Sequence, residues 1–96
     1  MIGYANLSKS NNKKIADGIR VSASLEKLKT VPSADGVPGR GVIESVRTFV
    51  IPTSPETTGQ LSITDFVTFK GRQYAVANMI EGVRKTTILG VRTNKL

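Results

Sequence analysis

The 96-residue chain contains no cysteine, no histidine and no tryptophan. Lack of cysteine excludes a disulfide framework, and lack of both cysteine and histidine removes the usual thiolate and imidazole metal sites. The same gaps remove Ser-His-Asp and Cys-His nucleophiles and the zinc hydrolases. Acids are few as well. Asp17, Glu26, Asp35, Glu44, Glu56, Asp65 and Glu81 are the whole set, and no two lie closer than nine residues. A carboxylate pair or an activated lysine stays formally open for acid–base work. That dispersal suits a solvated surface better, and a non-enzymatic protein without metal or cofactor is expected. Long apolar runs are missing too. The opening MIGYANLSKSNNKK holds no stretch of signal-peptide length, and nothing approaches the ~20 apolar residues of a membrane span. The expectation is a soluble protein with neither a membrane nor a small-molecule substrate as partner.

What is abundant is positive charge: 14 Lys+Arg against 7 Asp+Glu, a net +7 with a sequence pI near 10.2. The length allows one domain, and a domain this small buries only about 60–65% of its unfolded surface. With no disulfide to help, a partner surface or self-assembly is the expected source of further stability. The charge is spread evenly: residues 1–48 hold eight basic and four acidic residues, residues 49–96 six and three.

Along the chain, Met1 to Lys14 is polar and shows no period of 2 or 3.6, which reads as a flexible N-terminal arm ahead of a single domain over 15–96. Such an arm either frays or straps onto a neighbour, with Tyr4, Lys9, Lys13 and Lys14 as its candidate contacts. From Ile15 the pattern is strand-like. Ile19, Val21, Ala23 and Leu25 alternate with Arg20, Ser22, Ser24 and Glu26. Pro32 to Gly41 (PSADGVPGRG), with three glycines and two prolines, is a loop. Val42 to Ile51 is rich in β-branched residues and ends at Pro52, and PTSPETTGQ is a second loop. Val67 and Phe69 match Tyr74 and Val76 across Lys70-Gly71-Arg72 as a hairpin, and Thr86 to Val91 adds an antiparallel strand after the turn-like Glu81-Gly82. The fold class is mainly β: a small antiparallel sheet or barrel. A weak echo, [LI]-E-x-[LV]-[KR]-T-[VF], at Leu25 to Val31 and Ile43 to Phe49 reads either as two facing strands of a long hairpin or as coincidence. On the first reading Pro32 to Gly41 is the protruding tip.

Two ligand chemistries are tested by spacing. Gly36-Val-Pro-Gly39-Arg-Gly41 lacks the third glycine of a dinucleotide loop, the Gly-Lys-Ser/Thr ending of a Walker loop and a following helix. It reads instead as a tip carrying Arg40, with Ser33, Asp35 and Pro38 between its glycines. Nucleic-acid binding needs clustered cations, and single strands also need exposed aromatics. The candidate DNA- or partner-facing cations are Arg40, Lys70, Arg72, Arg84, Lys85, Arg92 and Lys95. Of Tyr4, Phe49, Phe66, Phe69 and Tyr74, the last four sit in strand patterns where burial is the default. One arrangement would favour a free-standing, non-specific nucleic-acid-binding small barrel: Lys70, Arg72, Arg84 and Arg92 on one face beside an exposed Tyr74.

Phe49-Val-Ile-Pro, a loop, Leu61-x-x-x-Asp65-x-Val67-x-Phe69-x-Gly71-Arg72-x-Tyr74-x-Val76, a short turn and Thr87-Ile-Leu-Gly-Val91 together resemble the head-closure, or head–tail joining, proteins of tailed bacteriophages. The resemblance covers roughly residues 42–92 and departs from the family at Thr64, where a glycine usually precedes the aspartate. It implies a small β-rich virion protein, assembled in the host cytoplasm, forming a homo-oligomeric ring in the neck. The ring sits between portal or adaptor and tail proteins, and packaged double-stranded DNA passes through its lumen. By the same resemblance Pro32 to Gly41 would be the lumen- or partner-contacting loop. The arm and the basic end after Arg84 would contact other subunits or the portal. An adaptor or tail terminator is the nearest alternative within the neck and tail.

Overall fold

The computed structural model describes residues 1–32 and 41–95. Seven strands account for most of them: β1 (Ile2–Ser8), β2 (Lys14–Ala23), β3 (Lys27–Pro32), β4 (Gly41–Pro52), β5 (Phe66–Phe69), β6 (Arg72–Glu81) and β7 (Lys85–Lys95). A 3₁₀ turn, Thr58–Gln60, lies in the loop after β4. The order β2-β1-β5-β6-β7-β4 closes on itself through β2–β4 pairing, giving a six-stranded antiparallel barrel with β3 as one extra strand on β4. Closure removes most of the sheet edges that a flat arrangement would leave unpaired.

Local chemistry explains the hairpins. Phe69 pairs with Arg72, so β5 and β6 are joined by Lys70 and Gly71 alone. Both have positive φ, 50° and 75°, the geometry of a two-residue type I′ turn whose twist matches the strands. This register places Val67, Phe69, Tyr74 and Val76 inward, all buried as their alternation predicts. The turn after Glu81 joins β6 to β7 as expected. β3 and β4 face each other from Lys27↔Val46 to Pro32↔Gly41, so the echoing segments do form one long hairpin. Its tip, residues 33–40, lies outside the described residues.

The barrel core is small and aromatic. Phe49 meets Phe69 (5.6 Å between ring centres, 64° between planes) and Tyr74 (5.2 Å, 66°) edge-to-face. Such pairs add about 0.5–1.5 kcal/mol beyond the area they bury. Leu7, Val21, Ile51, Val67, Val76 and Ile88 fill the space around them. Phe66 is the exception among the strand aromatics, being only half-buried. Gly90 is required for this packing. A Cβ there would lie 2.9 Å from both Phe49 Cε2 and Tyr74 Cβ.

Two expectations are overturned. The N-terminal segment is not a loose arm. β1 lies between β2 and β5, with Ala5 and Leu7 buried in the core and Tyr4 exposed on the outer wall. Its inward positions are alternate, but Gly3 and Ala5 are too small to register as a hydrophobic period, and burial of Leu7 alone stabilises the fold by about 1.5–3 kcal/mol. Residues 2–8 therefore belong to the barrel domain and not to an arm ahead of residue 15. Leu25 does not continue the alternation of β2, which ends at Ala23, and its side chain is exposed.

β4 and β7 pair over eleven residue pairs, from Val42↔Lys95 to Pro52↔Lys85. That ladder spans about 35 Å, longer than the barrel wall. β6 pairs with β7 no further than Ala75↔Val91. Beyond that point β3, the first half of β4 and the end of β7 form a three-stranded extension at one end of the barrel.

Candidate functional site

The end of the barrel that carries the extension also gathers charge. Glu26, in the short connection between β2 and β3, is the hub. It accepts hydrogen bonds from Tyr74 Oη (2.7 Å), Arg72 Nη1 (2.7 Å) and Arg92 Nη2 (3.5 Å). Burial by itself would raise its carboxyl pKa. The Tyr74 hydroxyl and the two guanidinium charges outweigh burial and hold it below the usual glutamate range. Tyr74 thus presents its ring to the core and its hydroxyl to the rim, which anchors the β2–β3 connection over the barrel mouth.

Next to this hub lies Arg47, a buried cation on β4. Its Nε donates to Ser24 O (2.8 Å), and its guanidinium stands 4.8 Å from the centre of the Phe69 ring. The ring face and a backbone carbonyl replace part of the lost hydration. Lys70 approaches the same ring at 5.8 Å. Four cations therefore gather at this end, Arg72 and Arg92 on the Glu26 carboxylate and Arg47 and Lys70 at the Phe69 ring, and Lys27 and Lys29 are exposed on β3. The positive end and the projecting hairpin coincide.

The opposite end is held by a different acid. Asp65 is almost fully buried and accepts from Lys9 Nζ (2.9 Å), Ser62 N (2.8 Å) and Ser10 N (3.0 Å). Burial pushes its carboxyl up. The hydrogen bonds from Lys9, Ser62 and Ser10 outweigh that and lower the pKa overall. The Asp65 backbone carbonyl also accepts from Val76 N (2.8 Å), so one residue ties the β1–β2 turn, the loop before β5 and strand β6 together. Its sequence signal was its place before a β-run, but its three donors are distant in sequence and could not be read there.

No protein-family model and no curated protein matches the chain.

The predicted cations are divided rather than united. Lys70, Arg72 and Arg92 share the Glu26 end. Arg84 and Lys85 lie at the β6–β7 turn, about 30 Å away along β6. Pro32 and Gly41 close the β3–β4 hairpin by backbone pairing. Ser33, Asp35, Gly36, Pro38, Gly39 and Arg40 lie outside the described residues, as do the side chains of Pro32 and Lys95. Of the four residues assigned to an arm, Tyr4 is exposed on β1, Lys9 is latched to Asp65, and Lys13 and Lys14 flank the β1–β2 turn. Lys14 pairs with Asp17, whose hydrogen bond and charge raise the lysine pKa. Sequence reasoning missed Arg47 and Glu26 because each looks like an ordinary solvated charge on an alternating strand. Among the described residues, no group of three or more acids converges as a metal site.

Proposed function

We propose that the chain is a structural subunit of the neck of a tailed-phage virion, forming a head-closure ring between the portal or adaptor and the tail. The observation that carries this reading is the projection of the β3–β4 hairpin from the positively charged end of a closed barrel. A ring that directs such hairpins inward sets cations near the phosphate backbone of DNA in the lumen, where non-specific attraction needs no base contacts. In this reading residues 32–41 form the lumen element and Lys70, Arg72 and Arg92 the charged surface behind it. Tyr4, Lys13, Lys14, Arg84 and Lys85 are candidates for contacts with other subunits and with neighbouring neck proteins. The open edge of β3 gives a head-to-tail neighbour a place to extend the sheet, although Lys27, Lys29 and Pro32 along it restrain indiscriminate pairing.

The competing reading, a free-standing nucleic-acid-binding barrel, is disfavoured by Tyr74. The ring that would stack on bases is fully buried and its hydroxyl is engaged by Glu26. Native mass spectrometry and negative-stain microscopy of the purified protein, with mass spectrometry of purified virions, test the proposal. Closed rings and recovery of the chain in particles are expected. A chain that stays monomeric, is absent from particles and binds short oligonucleotides tightly at physiological salt refutes it.

A further inference from the structure

The barrel has a weak seam. β2 and β4 pair at only two positions, Ser22↔Val50 and Ala23↔Phe49, and the ladder stops there. The reason is in β4: past Val21 and Ile51, the next hydrogen-bonded pair in register would be Arg20 and Pro52, and proline has no N–H to donate to the Arg20 carbonyl. Backbone direction follows from the neighbouring bonds. Ala23 N donates to Met1 O on the β1 side, whereas Ser24 N donates to Thr48 O on the β4 side. Strand alternation then turns the amide and carbonyl of Arg20 toward β4, into the gap. Among the described residues this part of the β2 edge has no ladder partner.

The gap is an open groove of about 340 Å³ on the outer wall, bounded by Ile2, Arg20, Ser22, Val50, Pro52 and Lys85. Ile2 is 64% exposed and adds aliphatic surface to the groove. The apolar part is aliphatic and continues outward to the exposed Tyr4, which pairs across the ladder with Arg20. The rim is cationic. Among the described residues neither Arg20 nor Lys85 has a carboxylate within salt-bridge distance.

We propose that this groove receives an extended, acidic and aliphatic segment of another protein, which adds backbone hydrogen bonds at Arg20 and sets its carboxylates against Arg20 and Lys85. An open strand edge selects an extended backbone, the aliphatic floor selects alternate apolar side chains, and the rim selects the sign of charge between them. A second copy of this chain is a poor source, because its seven acids are nowhere closer than nine residues and no acidic run exists. A nucleic-acid strand would meet only two cations across an aliphatic floor that offers its phosphates nothing. The inference stands on the seam and does not depend on the neck reading.

The test is selection from a ribosome-displayed library of random peptides of about ten residues, followed by NMR titration of the full chain with the selected peptides. Enrichment of Asp and Glu alternating with Val, Ile or Leu is expected, with amide shifts centred on Arg20, Ser22, Val50 and Lys85. The doubly reversed variant R20E/K85E, altered only at exposed positions, should keep the wild-type spectrum elsewhere. It should bind those peptides roughly tenfold or more weakly, as should the wild type at about 0.5 M salt. Selection of peptides without acid enrichment, shifts centred on another surface, or undiminished binding by R20E/K85E overturns the proposal. So does displacement of the peptide by a short oligonucleotide at physiological salt. Ring formation without acidic selection sinks the groove alone, and acidic selection by a protein that never forms rings sinks the neck reading alone.

Discussion

Replacing Asp65 by alanine removes the acceptor for two backbone N–H groups, Ser62 and Ser10, and for the Lys9 ammonium. A hydrogen bond to a charged group contributes about 1.5–3 kcal/mol, and an orphaned donor costs about 1–3 kcal/mol where it is screened from water. Lys9 is more than a third exposed, so its ion pair adds only about 0.5 kcal/mol after screening. The three donors share one site and do not add fully, which gives a loss of about 3 kcal/mol. For a domain of this size each kcal/mol lowers Tm by about 4–8 °C, so a drop of about 15 °C is expected in a thermal melt followed by circular dichroism. D65N should fall between, near 2 kcal/mol, because its single carbonyl oxygen cannot face all three donors and its amide must oppose one. K9M should lose less than about 1 kcal/mol. The pH dependence adds an independent check. The folded pKa of Asp65 is lowered, so its contribution is present above the unfolded value near 4 and is lost as pH falls through the folded value. Stability of the wild type should therefore drop below about pH 4 more steeply than that of D65A. Loss below about 1 kcal/mol in D65A, or parallel acid profiles for the two proteins, would refute the account of Asp65 as the tie between three elements.

Other expectations follow from single contacts. Gly90→Ala places a methyl 2.9 Å from Phe49 and from the Tyr74 backbone-proximal carbon, and should cost about 1–3 kcal/mol in urea unfolding. Tyr74→Phe keeps the core ring but removes the hydroxyl from Glu26; a loss of about 1.5 kcal/mol is expected at neutral pH, shrinking as acid protonates Glu26, since that pKa is also lowered. Lys70→Asn puts the preferred residue at the first position of the type I′ turn and should stabilise by about 0.5 kcal/mol. Gly71→Val, at φ 75°, should destabilise by about 1–2 kcal/mol or more.

The sequence by itself determined the features that depend on neighbours along the chain. Alternation in Val67, Phe69, Tyr74 and Val76, with Lys70-Gly71 between them, was enough for a hairpin and for which faces are buried, because strand period and turn chemistry are local properties. Pro52 marked the end of a strand for the same reason. The matched pattern in residues 25–31 and 43–49 was enough to suggest two facing strands. Tertiary structure decided what depends on residues far apart in the chain. Ile2 to Ser8 became a barrel strand because small alternating residues found two partner edges at once, and a side chain as small as Ala5 carries no periodic signal. Glu26 became a hub only when β6 and β7 brought Tyr74, Arg72 and Arg92 to it. Arg47 became a buried cation only when Phe69 and Ser24 O were set beside it. The dispersed positive charge, read along the chain as a uniform property, was sorted into two ends by the direction of β6 and β7. The seam at Pro52 joins both levels. The missing N–H is written in the sequence, but that it leaves Arg20 facing an open groove follows only from closing the barrel.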